Sequence, residues 1–469
     1  FAPIVWIGNE YVGHCFFIET PAGLQIQDSA RFYEVERTDR ETLLRVNFVD
    51  QKITLDKPIT FSFGWFATPS RPLPENWLSW AYYGRPGEEY KGTEFQVLLN
   101  DRCFDESNQF LHEAHPWKWF TDQAKIAHES GRHFLKYTST HYLSFYKNWT
   151  KDALDQKKSL CKEYDVQYEE TPERKFWAPE WEVVPGKPEL CTNTSWQDLV
   201  CAGIRDRIEK GQVGGIYFDC AFPMQCSNPL HGCNGRYGIL SQREIRRRLT
   251  NVFEANGRKA LVMEHLSENL LGPQMSFIDF ALDGEQLSGG AEDYRKELSL
   301  DRMRVMSIGT KWGMIPITLF YEPENSIAKT DSFLAIWALH MPIHCIAPMR
   351  GWPVNLWHAY SLDREFDFDK QSRRLGYWEN GQVVKVTPEE VKVTLYHKPG
   401  KVLLVASNLS DRKIDAKIDL NVAPLGLDAE KIKCIKYLEN QEQAPQYSDG
   451  RLRCSLKPNS CIICILSEE

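Results

Sequence analysis

Two short apolar runs that end on carboxylates constrain this fold more than anything else in the chain. One is Gly214-Gly215-Ile216-Tyr217-Phe218-Asp219-Cys220; the other is Phe277-Ile278-Asp279-Phe280-Ala281-Leu282-Asp283-Gly284-Glu285. A brief unbroken apolar run bounded by glycine reads as a strand covered on both faces, which is what a parallel sheet requires. Parallel strands need a crossover between them, usually a helix. When eight such units close into a barrel, the C-terminal strand ends form the floor of the functional site. An acid placed there is presented to whatever binds. The same position also suits an acid that caps the next helix or pairs with arginine, but its recurrence on two runs favours the first reading.

The rest of the chain carries the same rhythm. Strands are expected at 61–66, 134–138, 176–179, 215–219, 260–265, 277–283, 314–320 and 343–348, with helical patterns at 119–131, 196–210, 240–256, 299–307 and 328–340. This alternation predicts an α/β fold, a (β/α)8 TIM-type barrel over residues 59–375. Phe95-Gln96-Val97-Leu98-Leu99 reads as an extra strand within a long insertion, 76–118, rich in Trp, Tyr, Gly and Pro. Residues 1–58 alternate apolar and polar, as in Leu43-Leu44-Arg45-Val46-Asn47-Phe48-Val49, and predict an N-terminal β-sandwich remnant. Residues 376–469 return to short strands such as Lys401-Val402-Leu403-Leu404-Val405-Ala406 and predict a C-terminal β-sandwich.

Composition removes several classes of function. The net charge is −8 and the longest basic tract is Arg246-Arg247-Arg248, inside a helical pattern, so nucleic acid is not an expected partner. No run approaches the roughly 18 apolar residues of a membrane span. Gly-x-Ser-x-Gly, P-loop, dinucleotide and His-Glu-x-x-His motifs are all missing, which disfavours serine hydrolase, kinase, nicotinamide and zincin chemistry. No signal peptide is present, and the chain opens on the strand-like Phe1-Ala2-Pro3-Ile4-Val5-Trp6. A secreted or periplasmic bacterial product is the expectation. The 15 tryptophans will mostly pack cores, with some suited to stacking on sugar rings.

Strand counting puts Asp219 at the end of the fourth strand, Glu264 and His265 at the end of the fifth, and Asp283 with Glu285 at the end of the sixth. A pair of carboxylates facing one substrate is the equipment of glycoside hydrolysis: one attacks the anomeric carbon, the other donates a proton to the leaving oxygen. On this reading Asp219 is the nucleophile and Asp283 the acid/base, with Glu285 as its alternative. Glu264, His265, Lys136 and Trp312 are candidate contacts to an oligosaccharide or glycan, and a retaining outcome is expected. Plainer roles stand beside each: a packed histidine, an N-capping Glu285, a solvated Lys136. Neither a cofactor nor a metal is assigned, and the oligomeric state is open. Cys220-x5-Cys226-x6-Cys233, with His231 inside it, matches none of the common zinc spacings. A disulfide stiffening the loop behind Asp219 outweighs zinc there. The rivals are a non-catalytic carbohydrate-binding protein on the same scaffold and a lyase or other metal-assisted enzyme.

Thr60-Phe61-Ser62-Phe63-Gly64-Trp65-Phe66-Ala67-Thr68-Pro69-Ser70-Arg71-Pro72-Leu73-Pro74 resembles the opening motif of a bacterial family of glycoside-hydrolase-like barrel proteins. Tyr217-Phe218-Asp219, Cys226-Ser227-Asn228, His231-Gly232-Cys233, Glu264-His265-Leu266-Ser267 and Leu282-Asp283-Gly284-Glu285-Gln286 carry the same resemblance, which spans about residues 15–466. The family is distantly similar to barrel enzymes acting on N-acetylgalactosaminides, which use adjacent Asp-Glu residues and substrate assistance. No such pair follows the fourth strand here. Acids on strands four and six instead resemble the α-galactosidase clan, which implies nucleophile and acid/base roles for Asp219 and Asp283.

Overall fold

The computed structural model describes residues 3–83, 95–99, 122, 124–127, 129, 132–140, 159, 163–165, 189–211, 213–219, 221–266, 269, 272–322, 326–349, 353–440 and 442–468. Strands β1 (Ile4–Gly8), β2 (Gly13–Ile18) and β5 (Phe63–Thr68) form an antiparallel sheet, and β3 (Tyr33–Arg37) pairs with β4 (Thr42–Val46) as a hairpin. The segment expected as the first barrel strand, 61–66, therefore belongs to this N-terminal sheet. Its alternating exposure is the mark of an antiparallel strand with one face open.

Eight parallel strands follow in sequential spatial order: β6 (Trp80–Tyr83), β7 (Phe95–Leu99), β8 (Arg132–Thr138), β9 (Gly215–Phe218), β10 (Val262–His265), β11 (Phe280–Asp283), β12 (Ile315–Phe320) and β13 (Ile346–Pro348). The outer strands β6 and β13 approach within 8 Å at Cα, with no hydrogen-bonded ladder between them among the described residues. Expected strand 176–179 lies outside the described residues. Helices Trp196–Gly211, Ile239–Ala255, Leu300–Met306, Ile327–Trp337 and Val354–Phe366 intervene between strands or follow the last one. In Ile239–Ala255, Ile245, Leu249 and Phe253 recur at i, i+4, i+8 and are buried, giving one apolar stripe against the sheet.

Gly215 is needed where β9 starts. A Cβ there would lie 2.3 Å from both the Leu135 side chain and the Leu261 carbonyl, so only glycine lets β8 and β10 close on β9.

The C-terminal part is two antiparallel sheets. One is ordered β14-β16-β17-β22-β19 (Arg373–Leu375, Lys392–Lys398, Lys401–Asn408, Ser460–Glu468, Ile432–Tyr437). The other is β15-β18-β21-β20 (Val384–Thr387, Ile414–Leu420, Arg451–Leu456, Gln446–Ser448). Strands β16, β17 and β22 are buried on both faces. Leu395, Val402, Leu404 and Ile462 turn into the sandwich core, while Tyr396, Leu403, Val405 and Ile463 join the core of the parallel sheet. Tyr396 and Thr394 donate to the carbonyls of Ala338 and Leu339, at 3.0 and 2.9 Å, at the end of the Ile327–Trp337 helix.

Candidate active site

Asp219 continues the β9 ladder by one residue, its N–H donating to the Thr138 carbonyl at 2.8 Å. Its carboxylate turns toward β10, where Oδ1 lies 2.8 Å from Nδ1 of His265. The register explains the meeting. Glu264 pairs with Phe218, so His265 is level with Asp219, and the two share the inner face with Tyr217, whose ring centroid is 6.5 Å from the imidazole. Glu285 enters from the turn after β11, with Oε2 3.6 Å from the same Nδ1. The turn is made by Gly284 at φ 109°, where a Cβ would come within 2.5 Å of the Leu319 carbonyl. The Glu285 side chain is 57% exposed, whereas that of His265 is 3%. His265 Nε2 is buried with no hydrogen-bond partner among the described residues.

Burial is the largest single influence on His265 and disfavours its charged form. The hydrogen bond and charge of Asp219, followed by the charges of Glu285 and Asp283, outweigh it and raise the imidazole above its ordinary pKa. Three acids and one histidine thus act on one another at the ends of β9, β10 and β11.

The remaining sequence candidates lie elsewhere. Glu264 faces the outer side, in an ion pair with Arg246 (Nε to Oε2, 2.9 Å) in which neither side chain is accessible to solvent. Arg246 also sits 4.3 Å over the Phe218 ring. Glu264 fixes the Ile239–Ala255 helix to the sheet and is not at hand for a substrate; its pKa is raised, because burial outweighs Arg246. Lys136 pairs with Ile216, which shares the outer face with Phe218, so it too is turned away from His265. Trp312 precedes β12 at the opposite end of the sheet from the acids. It is buried, its indole donating to the Val305 carbonyl at 2.9 Å and its ring centroid 4.8 Å from that of Trp6. Asp283 ends β11 on the face of Ala281 and pairs with Thr318. With Arg302 and Met303 it lines a pocket between β11, β12 and the Leu300–Met306 helix.

Sequence reading missed two groups. Asp279, buried before β11, accepts from the Val262 N–H at 2.9 Å and from Arg71 at 3.0 Å; burial raises its pKa against both. Cys191 joins Cys226, His231 and Cys233 in a cluster whose potential ligand atoms all lie within 4.8 Å of one another. Cys220 lies outside the described residues. The described cysteines of the cluster are free thiols rather than a disulfide.

Solved structures share the eight-stranded parallel sheet as a likeness of fold. Amy13B of Eubacterium rectale is similar over 84% of this chain and 94% of its own, at TM-score 0.50 and 13% identity, a likeness of fold alone. The maltogenic α-amylase AmyB of Thermotoga neapolitana covers 84% of this chain and 100% of its own, with 12% identity and TM-score 0.49. The debranching enzyme of Nostoc punctiforme covers 85% and 100%, with 10% identity and TM-score 0.49. Residues 352–465 match the profile of the glycoside hydrolase 123 C-terminal domain. That domain supports glycoside hydrolase activity. No curated protein sequence matches the chain.

Proposed function

We propose that this protein is a retaining glycosidase that hydrolyses an O-glycosidic bond in a glycan at the ends of β9 to β11, the eight-stranded sheet acting as a closed (β/α)8 barrel. The observation that carries the reading is the convergence of Asp219 and Glu285 on one imidazole nitrogen. Legs of 2.8 and 3.6 Å bound the separation of their oxygens at about 6.4 Å. Inverting pairs stand roughly 6.5–9.5 Å apart to admit a water, and retaining pairs about 5–5.5 Å. Asp219, held by His265, is the nucleophile. Glu285, on an exposed turn, gives its proton to the leaving oxygen and afterwards takes one from water. A cationic His265 keeps Asp219 ionised and oriented. Asp283 supports that charge from the outer face and leaves the acid/base role to Glu285.

Substrate assistance of the N-acetylgalactosaminidase kind uses adjacent Asp and Glu residues at one strand end. Here Asp219 is followed by Cys220. Acids on the fourth and sixth strands are closer in pattern to the α-galactosidase clan. The test is a screen of aryl glycosides and natural glycans, with the product anomer followed by NMR. Retained configuration is expected. Inversion would make Asp219 a general base, and binding without turnover across the panel would favour a carbohydrate-binding protein instead.

A further inference from the structure

We propose that Cys191, Cys226, His231 and Cys233 bind a zinc ion, forming a structural site that pins the loop after β9. Three thiolates and one imidazole are a donor set that zinc takes in tetrahedral structural sites. The spacings match such a site. With Zn–S near 2.3 Å and Zn–N near 2.0–2.1 Å, tetrahedral geometry sets S···S edges of about 3.8 Å and S···N edges of about 3.5 Å. Cys191 Sγ and Cys233 Sγ are 3.6 Å apart, and Cys226 Sγ is 3.3 Å from His231 Nδ1. A disulfide would require sulfurs about 2.05 Å apart and would leave one thiol and the imidazole outside it.

The surroundings prepare the histidine for this role. Its far nitrogen, Nε2, lies 2.8 Å from the Glu163 carbonyl oxygen. Donation there fixes the proton on Nε2 and leaves the Nδ1 lone pair facing the sulfurs, the arrangement by which metal-bound histidines are oriented. The backbone is folded to match. Asn228 caps the 3-10 turn Pro229–His231, and left-handed Gly232 follows it, bringing His231 and Cys233 back together. Cys226 N–H donates to the Arg236 carbonyl at 2.9 Å, and Gly235 N–H to the Cys226 carbonyl at 3.1 Å, closing the loop on itself. Cys191 arrives from a separate segment, its N–H donating to the Tyr164 carbonyl at 2.7 Å.

The site would thus tie two distant stretches of chain together: the approach to the Trp196–Gly211 helix and the loop that starts two residues after Asp219. Zinc here does no chemistry on substrate. It holds the segment that carries the β9 end in place, as a preorganised support for the acid.

The test uses the full chain purified under reducing conditions without chelator, with elemental analysis by mass spectrometry. About one zinc per chain is expected, and its removal should lower the melting temperature. Replacement by Co2+ should give the thiolate charge-transfer and visible bands of a tetrahedral sulfur-rich site. Cys233→Ser should weaken zinc binding at least about tenfold in competition with a chromophoric chelator, while Cys201→Ser, a buried thiol elsewhere, should not. If Cys233→Ser fails to fold, the metal content and cobalt spectrum of the unaltered chain decide the matter. No zinc above background after incubation with Zn2+ under reducing conditions would overturn the proposal. So would a peptide map showing a disulfide between any two of Cys191, Cys226 and Cys233.

Discussion

Glu264 and His265 are consecutive in β10, yet they serve opposite sides of the sheet. The glutamate is locked to Arg246 under the Ile239–Ala255 helix, and the histidine is joined to Asp219 at the inner face. One residue of pleat separates a scaffold ion pair from the candidate chemistry.

Glu264→Gln should therefore cost stability rather than catalysis. Removing one member of a fully buried pair strands the other charge, at about 3–5 kcal/mol. Replacing both with methionine should recover much of that loss. Denaturant melts measure the first effect, and turnover per folded molecule should stay within about twofold of the unaltered protein. A catalytic collapse at unchanged stability would restore Glu264 as a substrate contact.

Asp219→Ala should lower turnover by at least about 100-fold while circular dichroism and quaternary state are unchanged, because a nucleophile contributes only along the reaction path. Near-normal rates in a folded variant would remove Asp219 from the mechanism.

Glu285→Ala and Asp283→Ala should behave differently. Loss of the proton donor hurts substrates with poor leaving groups far more than activated aryl glycosides, and azide should rescue it as a glycosyl azide of retained configuration. That pattern is expected for Glu285→Ala. Asp283→Ala should instead act mainly on stability, through the pocket it shares with Arg302. The reverse assignment would return the acid/base role to Asp283.

The imidazole supplies a pH test. Asp219 and then Glu285 and Asp283 raise His265 against the opposing effect of burial, so Asp219→Asn should lower its titration point as followed by NMR. The sign for stability follows from the same shift. The folded state binds the proton more tightly than the unfolded one, whose histidine titrates near about 6.5. The contribution is complete below that value and is lost as pH rises through the higher folded pKa. Asp219→Asn should flatten the dependence in that window. An unmoved His265 resonance would mean that the pair is not formed in solution.

Much of this was legible along the chain, because buried strands advertise themselves as unbroken apolar runs. β9 to β13 fall where the runs predict them. The first strands did not. Residues 61–66 have the apolar content of a barrel strand but the alternation of a half-exposed one, whereas Trp80–Tyr83 is short and sits in a stretch that reads as loop. Phe95–Leu99, read as an extra strand, is the second of the eight. Asp219 and Asp283 still fall on strands four and six, since two expected strands, 61–66 and 176–179, are not among the described eight and Trp80–Tyr83 and Phe95–Leu99 take their places in the count. Facing is harder to read than position. Where both sides of a strand are buried, nothing local tells Lys136 or Glu264 from His265, and only the register with Ile216 and Phe218 separates them. Cys191 was missed for a related reason: its nearness to Cys226 and Cys233 is created by folding and leaves no local spacing.

Strands β16, β17 and β22 each give alternate residues to two cores. A boundary drawn between barrel and sandwich therefore crosses no solvent and has no seam to open. Deleting the region from about residue 352 onward would remove the Val354–Phe366 helix along with the sandwich, strip an apolar wall from the Ile327–Trp337 helix, and take from the carbonyls of Ala338 and Leu339 their donors Tyr396 and Thr394. The two parts should melt together as one cooperative unit, so the region similar to the glycoside hydrolase 123 C-terminal domain is expected to behave as part of one folding unit and not as a detachable module.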